Sequence, residues 1–497
     1  MNNIKVLFID FQASVFSNTH DEKSNQVVLP IGLMYLSSCL KSNLKNSEVK
    51  LAKSYVDFRS MEELLNIINV FSPNIIGIKA MSLDIDFLFE CVKYVRNSYL
   101  KTDYIIVIGG PITNSNSKEV FRSGLFDYIT IGEGERAFLE IARAYYEKRT
   151  INNDIKGILY SENNYKKDYI ENLDEIPFPD YSLIDFNEYD KYINYGYNRN
   201  RQGVIFSSRG CPYHCIYCHN LFGNRARLRS PENIFDEMQF LYDTYNIKDI
   251  FFVDDIFNID YKRAMKVFDL IINSKIPFRL YFPNGIRGDI IDENYIDQMV
   301  EAGTIYVTYA VETASEKLQK VIKKNLNLEK LKKNIKYTCE KEILVNAFFL
   351  FGLPGETEDE AMLTLKYAKE LDKLNFPFIF FSRYYEGTEM YDLALANGFS
   401  KEMLNENTRS FYHEASHYHT PTLNNKFITY IKNYFLYKIL FNQERISNML
   451  RLQRKFYKED DIVDYINIMY NVSVNDLKEF EKHISDINHS SYIKNFD

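Results

Sequence analysis

The stretch Ser207-Ser208-Arg209-Gly210-Cys211-Pro212-Tyr213-His214-Cys215-Ile216-Tyr217-Cys218-His219-Asn220, SSRGCPYHCIYCHN, decides how this chain is read. Its three thiols are spaced C-x3-C-x2-C, and the next cysteine, Cys339, lies far downstream. Metal ligation is the simplest use of such a group. Structural zinc takes four protein ligands, usually as two close pairs. His214 or His219 can supply a fourth donor, so the count alone leaves zinc open. A ferredoxin-type cluster takes four thiolates. A [4Fe–4S] cluster held by three leaves one iron open, able to bind a small molecule and pass it an electron.

The surroundings of the loop say what carries it. The strand GVIFSS runs into the first cysteine, and strand-like and helix-like patterns then alternate. DIFFVDD, FRLYFP, TIYVTYA, LVNAFFLF and FPFIFFS read as further strands, with amphipathic helical stretches between them. Six parallel strands fall short of the eight of a closed barrel, so a partial (β/α)6 TIM-type barrel is expected over 201–398. Functional residues then belong just after the strands. Residues 1–150 alternate in the same way (IKVLFIDF, VKLAKSYVDF, NIIGIKA, YIIVIGG, FDYITIG), which predicts an α/β, Rossmann-like domain. Its ligand-binding edge, at the carboxyl ends of the strands, carries Ser82, Gly109-Gly110-Pro111 and Gly132-Glu133-Gly134-Glu135. Residues 151–200, rich in Asn, Asp, Tyr and Pro, read as a linker packed over a neighbour. Residues 399–497 read as a helical domain rich in aromatics.

The chain has 497 residues, with 26% charged, 46% hydrophobic and a net charge of −8, which suits a globular protein of several domains and gives no basic face for nucleic acid. MNNIKVLFID lacks a signal-like apolar run, and no segment reaches the ~18 uncharged apolar residues of a membrane span, so a cytoplasmic protein is expected. The most apolar late segment, FITYIKNYFLYKILF, is interrupted by Lys432 and Lys438 and reads as a core or docking helix. Cys39, Cys91 and Cys339 are scattered over helix-like segments, so no disulfide framework is expected.

The C-x3-C-x2-C loop after the first strand of a partial barrel resembles the signature of radical S-adenosylmethionine (SAM) enzymes. Tyr217 stands where that family usually has an aromatic. Five further stretches are similar to family motifs: Phe252-Val253-Asp254-Asp255-Ile256-Phe257, Arg287, Val311-Glu312-Thr313-Ala314-Ser315, Gly352-Leu353-Pro354-Gly355-Glu356-Thr357 and Tyr384-Tyr385-Glu386-Gly387-Thr388-Glu389-Met390-Tyr391. The last lacks both prolines of the family pattern. Leu29-Pro30-Ile31-Gly32-Leu33-Met34-Tyr35-Leu36, with the two glycine turns after it, resembles the cobalamin-binding domain that precedes many radical SAM cores. Small residues there let the backbone approach a flat corrin.

The resemblance implies roles. Cys211, Cys215 and Cys218 would ligate three irons. Glu312 would accept hydrogen bonds from the SAM ribose. Asp254 and Asp255 would sit near the SAM amino group or line the substrate pocket, one of them with helix capping as the alternative. Gly352 and Gly355 would let the backbone pass close to adenine, and Arg287 would hold the SAM carboxylate or a substrate anion. Ser82, Gly109, Gly110, Gly132 and Glu133 would border the corrin. Where many relatives have DxHxxG, this chain reads Asp10-Phe11-Gln12-Ala13, and His20 lies in a polar loop, so no histidine is expected beneath cobalt. With only Cys39 and Cys91 upstream, a second cluster of the methylthiotransferase kind is not expected. Phe411–His419 is a polar-aromatic patch that either lines an entrance or forms a surface turn, whereas Phe378, Phe380 and Phe381 suit core packing.

The implied activity is methyl transfer from SAM through cobalamin to an unactivated carbon or a phosphinate. A cobalamin-dependent cyclase or rearrangement enzyme is the alternative, and a non-catalytic iron–sulfur scaffold or sensor is the alternative of another class. The implied partners are a small-molecule or peptide substrate and an electron donor such as flavodoxin or ferredoxin.

Overall fold

Five short apolar runs near the start form five parallel strands: β1 (Ile4–Asp10), β2 (Ser47–Lys53), β3 (Ile75–Lys79), β4 (Ile105–Gly109) and β5 (Tyr128–Ile129), ordered β2-β1-β3-β4-β5. The architecture is that of a computed structural model, which describes residues 3–11, 26–81, 85–162, 165–218, 221–386, 388–409 and 418–466. Strands buried on both faces read as unbroken hydrophobic runs. On one face Leu7, Ile76, Ile78, Ile106 and Ile108 meet Leu64, Ile68, Leu88 and Val92 of the helices Met61–Phe71 and Ile85–Ser98. On the other, the Phe8 ring lies 5.0 Å from that of Phe138 in the helix Glu135–Glu147.

Among the described residues eight further strands follow: β6 (Gln202–Ile205), β7 (Ser208–Arg209), β8 (Arg227–Leu228), β9 (Asp249–Phe252), β10 (Arg279–Ile286), β11 (Thr304–Glu312), β12 (Leu344–Phe351) and β13 (Phe376–Phe381). A six-stranded sheet has the order β13-β12-β11-β10-β9-β6, and β7 and β8 form a separate antiparallel ribbon. The pairings from β9 to β13 are all parallel. Helices Tyr261–Ser274, Glu293–Glu301, Leu328–Cys339 and Glu358–Glu370 supply the crossovers. A linear order of six is the partial barrel expected from the strand count.

The chain divides into two compact units: Met1–Asn194 with Asn200–Pro212 and His219–Ile247, and Tyr195–Arg199 with Tyr213–Cys218 and Lys248–Asp497. In the first unit, the stretch after residue 150 has little regular structure yet is anchored. Ile158, Leu173, Tyr181 and Ile184 are buried, and the Tyr181 hydroxyl donates to the Val204 carbonyl at 3.0 Å. Late in its described residues the second unit has the helices Asn425–Tyr434 and Gln443–Phe456, joined by a π-helical turn, Phe435–Leu440. Phe427, Ile428, Ile431 and Phe435 are buried, so the late apolar segment is a core helix. No helix among the described residues is long and apolar enough to cross a membrane. Arg445 donates to the carbonyls of Ile439, Leu374 and Leu371, and burial lowers its guanidinium to about 10.

Candidate cofactor site

The cysteine loop is placed by its ends. In the first unit, Gly210 follows β7 at φ 84, a left-handed conformation that disfavours a side chain. The carbonyls of Arg225, Gly223 and Phe222 close the space that a side chain would need. The Cys211 amide then donates to the Gly223 carbonyl at 3.2 Å. In the second unit, the Ile216 amide donates to the Ile322 carbonyl and the Cys218 amide to the Cys215 carbonyl. Cys211 and Cys215 are half-buried, Cys218 is exposed, and none is in a disulfide. Burial pushes the Cys215 thiol up, while Lys324 and the Tyr217 hydroxyl pull it back.

The second unit gathers most of its expected residues at the carboxyl ends of β10 and β11. Glu312 ends β11 at φ 66, a conformation costly for a residue with a side chain. Its carboxylate accepts from the Tyr217 hydroxyl at 3.2 Å and from the Lys324 ammonium at 2.8 Å. Arg287 lies 4.0 Å from the centre of the Tyr213 ring, donates to both oxygens of Asp289, and reaches the Asn325 carbonyl. Tyr213, Cys215, Tyr217, Arg287, Glu312 and Lys324 therefore form one connected group. Lys324 and Tyr213 are members that sequence reasoning missed. No local sequence signal marks Lys324; the left-handed turn formed by its neighbours Lys323 and Asn325 is visible only in the fold.

Asp254 is buried after β9 and Asp255 is exposed. The helix that follows is capped by Asp260, whose side chain accepts from the Arg263 amide, so neither aspartate of the pair caps it. Gly352 has φ 81, and a methyl there would collide with the Tyr418 hydroxyl and ring. Glu356 accepts from the amides of Gly352 and Leu353 at 2.5 and 3.0 Å, and the Tyr384 hydroxyl donates to the Gly352 carbonyl. Burial raises the Glu356 carboxyl to about 8. Gly355, at φ 75, lies across from the Asn397 side chain. Residues 411–417 of the polar-aromatic patch lie outside the described residues, whereas Tyr418 is buried.

In the first unit, Gly109 ends β4 and Gly110, at φ 89, starts the turn into Pro111–Ser115. Gly132, at φ 81, precedes a turn whose Glu133 carboxylate points inward. It accepts from the Ile170 amide at 2.7 Å and pairs with Arg227 at 2.5 Å. Its oxygens are thus taken by the protein. Ser82 and His20 lie outside the described residues. At the end of β1, the buried Asp10 carboxylate pairs with Lys53 at 2.6 Å and Lys79 at 2.8 Å. The charge of its neighbours outweighs burial and holds its carboxyl below the usual range. Burial raises the thiols of Cys39, Cys91 and Cys339 to about 12 each, which disfavours their thiolate forms.

Residues 205–368 match the radical SAM superfamily and residues 21–142 the B12 binding domain. The chain is a cobalamin-dependent radical SAM protein. It is 29% identical over 376 residues to an uncharacterized methyltransferase of Pyrococcus horikoshii, covering 74% of this chain and 79% of that one. It is 25% identical to the cytidylyl-2-hydroxyethylphosphonate methyltransferase of Streptomyces wedmorensis, over 74% and 77% of the two chains. Its fold is similar to that of the radical SAM methyltransferase TsrM of Kitasatospora setae, solved with cobalamin and a [4Fe–4S] cluster: TM-score 0.63, 19% identity, 79% of this chain and 75% of that one. This radical SAM protein is an enzyme, and its cofactors are a [4Fe–4S] cluster, SAM and cobalamin. Among the described residues no three His, Cys, Asp or Glu side chains stand close enough together to hold a metal ion. The donor chemistry nonetheless fits the cluster: three thiols free of disulfides, on a loop without helix or strand, with no fourth cysteine beside them.

Proposed function

We propose that this enzyme transfers a methyl group from SAM, by way of cobalamin, to an unactivated carbon or a phosphinate. The observation that carries the proposal is the pairing, in one chain, of a B12-binding sheet with a cysteine loop whose Tyr217 is hydrogen-bonded to Glu312 at a barrel strand end. The two methyltransferase relatives support the same reaction. When bound, the cluster and SAM supply a 5′-deoxyadenosyl radical, and cobalamin carries the methyl group.

The chain's own residues hold and shield. Cys211, Cys215 and Cys218 ligate three irons. Glu312, already an acceptor for two donors, accepts from the ribose hydroxyls through charge-assisted bonds. Arg287, stacked on Tyr213 of the loop, faces a carboxylate or another anion. Asp254 and Asp255 border the SAM amino group or the substrate, and the Gly352–Gly355 turn backs the adenine. Ser82, Gly109, Gly110 and Gly132 border the corrin. Asp10, at the end of β1, is committed to Lys53 and Lys79. The division that goes with this reading is 1–150 for cobalamin, 151–200 as linker, 201–398 for SAM and 399–497 as a helical domain. A cytoplasmic flavodoxin or ferredoxin supplies the electron.

Anaerobic turnover with methyl-labelled SAM tests the reading. Label recovered in the product is expected. Product without label, formed together with 5′-deoxyadenosine, would assign cyclisation or rearrangement instead. No 5′-deoxyadenosine from a reconstituted, reduced protein would leave only a scaffold or sensor.

A further inference from the structure

The turn from Gly132 to Glu135 leads from β5 into the helix Glu135–Glu147. Both of its carboxylates are buried. Their partners come from the ribbon β7–β8, whose two strands flank the cysteine loop in sequence. Arg209 of β7 pairs with Glu135 at 2.7 Å and stands 3.7 Å from Glu133. Arg227 of β8 pairs with Glu133 at 2.5 Å and donates to the carbonyls of Ile170 and Phe222. The rings of Tyr35 and Phe222 lie 5.0 and 5.5 Å from the Arg209 guanidinium. Two carboxylates answer two arginines away from water. Removing one partner would leave a buried charge uncompensated, so the set holds together as a unit.

Cys211 is two residues beyond Arg209, and the path between them has no slack. Gly210 is wedged at φ 84 against three carbonyls, and the Cys211 amide is tied to Gly223. Glu135 thus holds one end of this path through Arg209. Glu133 holds the other through Arg227, which grips Phe222 beside Gly223.

We infer that Glu133 and Glu135 are positioning residues for Cys211: through Arg209 and Arg227, the turn after β5 of the B12-binding sheet sets where the first cluster thiolate stands. The inference rests on Cys211 being an iron ligand. Supporting groups one layer behind a ligand govern its orientation and hence the electronic state of the metal.

The test uses the full chain, reconstituted without air. The double variant Glu133→Gln/Glu135→Gln removes both carboxylates, and Arg209→Lys keeps the charge but not the fork. Glu237→Gln, which breaks the buried pair with Arg229 in the same unit, is the stability control. The double variant is expected to bind iron and cobalamin as the wild type does. Its reduced cluster should show shifted g values, a smaller change on adding SAM, and 5′-deoxyadenosine formation down at least about tenfold. Arg209→Lys should fall between, and Glu237→Gln should lower Tm while leaving the spectrum unchanged. A double variant with the wild-type spectrum and a Tm like the control's would overturn the inference. Should the double variant not fold, an unchanged spectrum in Arg209→Lys would overturn it. A Cys211→Ala variant that keeps a full cluster and cleaves SAM would instead remove the ligand assignment beneath it.

Discussion

Gly352 lies at φ 81 with the Tyr418 hydroxyl and ring filling the space where a methyl would go. Gly352→Ala should therefore cost about 1–3 kcal/mol, read as a lower Tm. Adding Tyr418→Phe should restore part of that loss, because the hydroxyl goes but the backbone strain stays. A Gly352→Ala protein with unchanged Tm and weakened SAM binding would place the requirement in the cofactor instead. Glu356, four residues on, binds its proton more tightly folded (about 8) than unfolded (4.5), because burial disfavours the carboxylate. The contribution of that proton to stability is full below pH 4.5 and is lost as the pH rises through 8. Tm of the wild type should fall over this window, and Glu356→Gln should flatten the fall. The motif at 352–357 was legible in the sequence. Its contact with Tyr418 was not, since the residues that meet there are far apart along the chain.

At the scale of elements, strands and crossovers follow from local pattern: apolar runs of four to nine residues make β9–β13, and amphipathic stretches make the helices between them. The helix Glu358–Glu370 begins with a reciprocal cap in which the Thr357 side chain takes the Glu360 amide and Glu360 takes the Thr357 amide. Thr357→Ala should cost about 1 kcal/mol in denaturant unfolding with the slope unchanged. Capping of this kind is written in adjacent residues. The end of β11 is different. Lys324 reaches Glu312 because a left-handed turn carries it back past the helix Glu316–Val321. Lys324→Met would leave the Glu312 carboxylate buried without its cation, and should cost roughly 3–5 kcal/mol.

Over the whole molecule, two parallel sheets assign two kinds of binding to separate parts of the chain. Replacing Cys211, Cys215 or Cys218 singly by Ala should lower iron content and abolish 5′-deoxyadenosine formation. The same proteins should retain corrin colour after gel filtration, because the five-stranded sheet needs no iron to fold. Loss of both together would deny that separation. By itself the sequence determined the strand–helix alternation, the spacing of the three cysteines and the glycine turns at strand ends, because each is a matter of neighbours along the chain. Only the tertiary structure decided that Glu133 turns inward to Arg227, that Lys324 meets Glu312, that Arg287 stacks on Tyr213 and that Asp10 faces two lysines. Those pairs join side chains whose separation is set by packing, and a charge in a sequence does not say which opposite charge the fold will bring to it.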